Sequence, residues 1–249
     1  MKYTEEFTVS SHDVDVNNNL RPSLVLRYMQ ETANHQMRDR KPSYYDLFFQ
    51  GKSFIVTRMS IQIYEAAGQY DDIKVSTWKC GNKGATFLRS YSIEKDGKVL
   101  AEAFSAWAVV DTETHKLYRS SDIDISNYEE DEPINLDLPS RFRLPANLDY
   151  KKVGEKSIFY SDVDMNLHMN NTNYPDMLVN YIPDMIKKEV TSVNLRFMTE
   201  ARLGEKLSIY MAKDDFSAKV DKRRDELYCF RTSLGEKTNI EAQIGVRNL

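Results

Sequence analysis

With 249 residues, of which 41% are hydrophobic, the chain can bury either one large core or two of ~100–130 residues. A formal net charge of −4 argues against general nucleic-acid affinity, and no run approaches the ~18 apolar residues of a membrane span. The two cysteines, Cys80 and Cys229, are too few and too far apart for a disulfide framework or a zinc site.

The opening stretch Met1-Lys2-Tyr3-Thr4-Glu5-Glu6 has neither a basic n-region nor an apolar h-region, and it is not a Ser/Arg-rich transit sequence, which points to a cytoplasmic protein. Residues 3–10 read as a short edge strand. Asp13-Val14-Asp15-Val16-Asn17-Asn18-Asn19-Leu20 follows, a polar run before a helix-compatible stretch. Pro22 suits a first helical turn, and Val25, Tyr28, Met29, Thr32 and Ala33 then recur at helical spacing. Gln30 and Glu31 fall among them, either lining a pocket or facing solvent.

From Ser53 the period changes to that of strands. Met59, Ile61 and Ile63 alternate with Ser60 and Gln62, and Ile73, Val75 and Thr77 alternate up to Trp78. Residues 86–93 and 99–110 read as two more strands joined at Lys95-Asp96-Gly97-Lys98, a strong hairpin turn. Residues 121–147 lose the periodicity. Asp122, Asp124, Glu129, Glu130, Asp131 and Glu132 gather there with Pro133, Pro139 and Pro145, which reads as a solvated acidic linker.

Beyond the linker the order is replayed. Asp162-Val163-Asp164-Met165-Asn166-Leu167-His168-Met169 repeats the run at Asp13 with an offset of 149, and a helix-compatible stretch again follows, Thr172 to Met185, interrupted by Pro183. Strands follow through 193–197, 207–211, 227–231 and 240–246. Ser60-Ile61-Gln62-Ile63-Tyr64-Glu65-Ala66-Ala67 aligns with Asn194-Leu195-Arg196-Phe197-Met198-Thr199-Glu200-Ala201 at an offset of 134. The boundaries this implies are 1–123 for an N-terminal module, 124–147 for the linker and 148–249 for a C-terminal module.

The second copy is chemically richer. His168 stands where the first copy has Asn19, and Glu200 where it has Ala66. In an extended segment Asp164, Asn166 and His168, two residues apart, share a face and can converge on one substrate atom. Asp and Asn also serve as turn and cap residues, so a local structural role is the competing reading, and for Asn170 and Asn171 capping suffices. Of the other histidines, His12, His35 and His115, none has a spaced metal-ligand partner. No phosphate-cradling glycine loop or dinucleotide fingerprint is present, so no cofactor is expected.

A long helix followed by an antiparallel meander, repeated once, describes an α+β double hotdog: two modules, each with a helix wrapped by its sheet, joined edge to edge so that exposed strand edges are covered. An apolar pocket between them would suit a fatty acyl chain. At this point the chain resembles the acyl-acyl-carrier-protein thioesterases of plant plastids and bacteria. The pattern Asp-x-Asn-x-His-x-Asn-Asn matches at Asp164, Asn166, His168, Asn170 and Asn171, and the family's later strand matches at Leu195, Phe197 and Glu200. Trp78, Arg89, Gly97 and Trp107-x-x-x-Asp111 also match, so the likeness covers nearly the whole chain.

The resemblance implies hydrolysis of fatty acyl-carrier-protein thioesters, with Asp164, Asn166, His168 and Glu200 as the catalytic set. Glu200, with or without His168, would activate water, Asn166 and nearby backbone amides would hold the carbonyl oxygen, and Asp164 would orient Asn166 or the imidazole. Many plant members carry a cysteine immediately after the glutamate. Here that residue is Ala201, which cannot act as a nucleophile, so direct attack by water is favoured. The partner implied is an acidic carrier protein, to be met by clusters such as Arg38-Arg40-Lys41, Lys187-Lys188 or Lys219-Lys222-Arg223-Arg224. An acyl-CoA thioesterase, a hotdog-class hydratase and a non-catalytic acyl-binding protein are the competing readings. A duplicated chain can work as a monomer or assemble as a homodimer.

Overall fold

A computed structural model describes residues 1–136 and 142–249. Pro139 and the rest of 137–141 of the expected linker lie outside the described residues. The first half runs β1 (Tyr3–Thr8), α1 (Pro22–Arg40), α2 (Tyr44–Phe48), β2 (Lys52–Ile63), β3 (Asp72–Lys83), β4 (Thr86–Lys95) and β5 (Lys98–Asp111). The second half runs β6 (Lys151–Ser157), α3 (Tyr174–Val179), β7 (Lys188–Phe197), β8 (Lys206–Lys213), α4 (Asp215–Ala218), β9 (Glu226–Leu234) and β10 (Lys237–Asn248). None of the described helices is long and apolar enough to cross a membrane.

All ten strands form one antiparallel sheet in the order β1-β3-β4-β5-β2-β7-β10-β9-β8-β6. The halves meet where β2 pairs with β7, Met59 opposite Leu195, Ser60 opposite Asn194 and Ile61 opposite Val193. Ser60 and Asn194 are also the residues equated by the 134-residue repeat, so a pseudo-twofold axis passes between them. Each half thus lends the other the strand that closes its edge. At the β4–β5 hairpin, Asp96 and Gly97 both have positive φ, +50° and +76°, the backbone that a tight two-residue hairpin requires.

Helix α1 begins with Pro22 in its first turn and ends before Pro42, which cannot continue a helix. Its buried stripe includes Leu24, Val25, Met29, Ala33 and Met37. One hydrophobic core is continuous across the seam, with Met29, Ile61 and Ile93 on one side and Leu195, Phe230 and Ile244 on the other. The two halves differ in their helices. The sequence suggests a shorter second helix interrupted at Pro183, and α3 has six residues against nineteen in α1. Asn180 caps its C-terminus, and Pro183 then rules out another helical turn.

Segment 124–147 is more than a solvated linker. Asp124 and Glu130 are exposed, but Ile125 and Tyr128 pack with Met37, Phe87 and Val109, and Phe142 and Leu144 pack against Cys229. The segment straps both modules because each end carries apolar side chains that the charge pattern conceals.

Candidate active site

The two polar runs fold into the same closed turn. In the first, Asp15 N donates to Asn19 O (2.8 Å), Asn18 N donates to Asp15 O (3.1 Å), and Val14 bridges to Leu20. In the second, Asp164 N donates to His168 O (3.0 Å), Leu167 N donates to Asp164 O (2.9 Å), and Val163 bridges to Met169. The residue at the tip is left-handed in both, Asn18 at φ +61° and Leu167 at φ +61°. Each turn is pinned to the end of a strand repeat: Leu20 N donates to Ala67 O (2.7 Å) and Met169 N to Ala201 O (2.8 Å).

The 162–169 run is therefore a turn, not an extended strand, and the same-face argument for Asp164, Asn166 and His168 does not apply. The left-handed Leu167 between Asn166 and His168 breaks the alternation on which it rested. The turn does bring His168 to Glu200. His168 Nε2 lies 3.2 Å from Glu200 Oε2, with the imidazole 25% exposed and the carboxylate 46%, so the pair is open to water. Glu200 is held by the chain before it. Met198 N and Thr199 N both donate to Asn239 O (2.9 and 3.1 Å), and the buried Asn239 side chain donates in turn to Thr199 O. Nothing in the sequence pattern singled out Asn239.

Asp164 does not reach the imidazole. Its Oδ1 accepts from Asn166 N at 2.8 Å, as Asp15 Oδ1 accepts from Asn17 N and Asn19 N at 2.9 and 3.0 Å in the first copy. Its carboxylate shapes the turn, and that shape places His168. The Asn166 carboxamide instead meets Tyr44 of α2, whose hydroxyl donates to Asn166 Oδ1 at 3.1 Å. Asn170 has the role of a cap, its Oδ1 accepting from Thr172 N (3.0 Å) and Thr172 Oγ1 (2.8 Å), while Asn171 Oδ1 accepts from Gln30 of α1 (2.7 Å). Gln30 thus braces the second copy's loop from the first module.

Asp164, Asn166, Asn170 and Asn171 form one side of a cavity of about 790 Å³. Its apolar lining comes mostly from the first module: Ala33 and Met37 of α1, Phe54, Phe87, Tyr91 and Trp107 of the sheet, with Ile125 and Tyr128 of the strap, and Met165 from the second. The cavity lies between the modules, as the sequence suggests, but most of its apolar lining belongs to the first, whose α1 has nineteen residues against six in α3. His168 and Glu200 are not among its lining residues. His168 follows Asn166, a lining residue, by two positions on the same turn, and Glu200 lies 3.2 Å from its imidazole.

The thiols are poor nucleophiles. Burial pushes Cys229 up to about 11 and raises Cys80 as well, so both are protonated at neutral pH. The basic clusters are largely spoken for: Arg38 with Asp39, Arg40 with Glu129, Lys41 with Asp46, Arg223 with Asp221, and the buried Lys188 with Glu226. His35 sits between Glu5 and Glu31, at 2.7 and 3.0 Å. Among the described residues no group of three or more histidines, cysteines or acidic residues could hold a metal ion.

The model of the acyl-ACP thioesterase N-terminal domain matches residues 1–127, and that of the C-terminal domain matches 147–245. The chain is 27% identical over 203 residues to the chloroplast oleoyl-acyl carrier protein thioesterase 2 of Arabidopsis thaliana, covering 74% of this chain and 55% of that protein. It is 24% identical over 222 residues to a palmitoyl-acyl carrier protein thioesterase of Cuphea hookeriana, covering 80% and 51%. The chain thus spans about half the length of these curated relatives. Among solved structures, an acyl-ACP thioesterase from Bacteroides thetaiotaomicron superposes with a TM-score of 0.84 at 22% identity, over 98% of this chain and 97% of that one. The 12:0-ACP thioesterase from Umbellularia californica superposes with a TM-score of 0.84 at 15% identity, over 100% and 94%. These likenesses establish the double-hotdog fold.

Proposed function

The chain belongs to the acyl-acyl-carrier-protein thioesterase family, and from that premise we propose that it hydrolyses the thioester linking a fatty acyl chain to an acyl carrier protein. The observation that carries this reading is the His168–Glu200 pair, 3.2 Å apart beside an apolar cavity, in the copy of the turn whose counterpart has Asn19 and Ala66.

The acyl chain occupies the cavity, and the thioester lies across the 164–168 turn. Glu200, whose Oε2 lies 3.2 Å from His168 Nε2, takes a proton from water as the water oxygen bonds to the carbonyl carbon. Negative charge moves onto the carbonyl oxygen, where the Asn166 carboxamide NH₂ stabilises it. The intermediate collapses, the carbon–sulfur bond breaks, and the proton held by Glu200 passes to the departing sulfur. Ala201 and the protonated, buried Cys229 favour water over a cysteine as nucleophile. Asp164 acts through the backbone of the turn, which it closes.

The competing substrate class is acyl-CoA, itself a polyanion through its phosphates, so the ion pairing of most cluster cations bears on both carriers alike. Free-thiol release from carrier-protein and CoA thioesters of the same acyl chains separates the two. Turnover on the carrier-protein series, falling about 10²-fold or more in folded His168→Ala and Glu200→Gln variants, supports the proposal. Faster turnover on CoA esters moves the substrate class, and hydrolysis that survives both changes moves the site elsewhere. Tight acyl binding with no hydrolysis of any thioester makes the protein a binding module.

A further inference from the structure

We propose that Tyr44, supplied by the first module, is a positioning residue that orients the Asn166 carboxamide toward the thioester; the inference rests on the hydrolase reading above. A primary carboxamide is planar, with an acceptor at one end and two donors at the other. Stabilising a developing oxyanion requires the donor end to face the substrate. Tyr44 Oη donates to Asn166 Oδ1 at 3.1 Å, and among the described residues Asn166 Nδ2 has no partner. A phenol can donate or accept; donating here, it occupies the carbonyl end and leaves the NH₂ group free, and both residues line the cavity.

Two features keep the phenol in place. Helix α2 is closed by a capping box in which Ser43 Oγ accepts from Asp46 N (3.1 Å) and Asp46 Oδ2 accepts from Ser43 N (2.7 Å). The Tyr44 ring stacks on Phe48, centroids 6.1 Å apart, while the neighbouring Leu47 is buried in the satellite core. A phenol fixed in this way adds a specified hydrogen bond at small cost in side-chain freedom.

The first copy of the turn serves as a control within the same molecule. Asn17 is the counterpart of Asn166, and its Nδ2 is spent on the backbone oxygen of Lys188 at 3.4 Å. No α2 equivalent supplies a phenol there, since α3 is followed by a 3₁₀ turn, Met185–Lys187, and then by β7. The same residue on the same backbone holds the module seam in one copy and presents a free donor in the other, and Tyr44 is what differs beside it.

The test is Tyr44→Phe, which keeps the ring, combined in a double-mutant cycle with Asn166→Ala on carrier-protein thioesters. The expected result is a kcat about tenfold lower in Tyr44→Phe, with KM and melting temperature unchanged, and no further loss when it is added to Asn166→Ala. Wild-type kcat in Tyr44→Phe, or losses that multiply in the double variant, overturns the inference while leaving the hydrolase reading intact. The side-chain amide NMR signals, with the Asn166 pair assigned by its loss in Asn166→Ala, give a readout that does not depend on turnover. Those signals are expected to move in Tyr44→Phe, and unmoved signals overturn the inference even for a protein that hydrolyses nothing.

Discussion

The turns at 13–20 and 162–169 share a hydrogen-bond pattern, a left-handed tip residue and an anchor on a repeated strand end, yet they carry different chemistry. Asn19 is replaced by His168 and Ala66 by Glu200, and the carboxamide of Asn17 is used structurally while that of Asn166 is open to the cavity. The comparison separates two things that a motif confounds. Asp15 and Asp164 are required by the turn itself, because each accepts backbone amides within it. The imidazole, the glutamate and the orientation of one carboxamide are not required by the backbone, since its twin folds without them.

The largest effect is expected from erasing the difference. His168→Asn with Glu200→Ala rewrites the second copy as the first, and hydrolysis should fall by about 10³-fold or more while the melting temperature stays close to wild type. A large loss of stability would show that the pair serves the fold. Next comes the contrast between the two carboxamides. Asn166→Ala should lower kcat about 10²-fold. Asn17→Ala should leave kcat unchanged and lower unfolding free energy by about 0.5–1.5 kcal/mol, measured by urea denaturation. Equal effects at the two positions would break the distinction. The smallest effect belongs to the tips. Leu167 is 61% exposed and left-handed, a conformation that costs a leucine about 1 kcal/mol more than an asparagine. Leu167→Asn should therefore raise the melting temperature by about 2–4 °C and Asn18→Leu should lower it by a similar amount.

Much of this was legible in the chain. The offsets of 149 and 134 both correspond to matching hydrogen bonds in the two halves, and the paired anchors Leu20–Ala67 and Met169–Ala201 use both at once. Strand periodicity located the meanders because stretches such as Ile73-Lys74-Val75 in β3 and Leu207-Ser208-Ile209 in β8 bury alternate residues. Three things were not legible. The end of helix α3 at Val179, ahead of Pro183, is one, since helix length is set by what it packs against as much as by an apolar pattern. Most of the cavity's apolar lining comes from the first module, because a void is defined by side chains from α1, the sheet and the strap that no local pattern joins. Tyr44 and Asn239 lie 122 and 40 residues from the groups they hold, and neither stands in a motif. Local spacing can report a turn, but not a contact made only after the sheet has closed.

The axis through Ser60 and Asn194 also bears on how such a molecule can change over generations. In an assembly of two identical subunits every substitution is inherited in duplicate, so a residue that improves one site while weakening the seam weakens the seam twice. Joining the halves in one chain removes that coupling. Asn17 can be kept for the seam and Asn166 for the substrate, and α1 can stay long while α3 shortens, because each position varies alone. A twofold backbone written as a single polypeptide is thus free to divide labour between its halves, something that a symmetric pair encoded once cannot do.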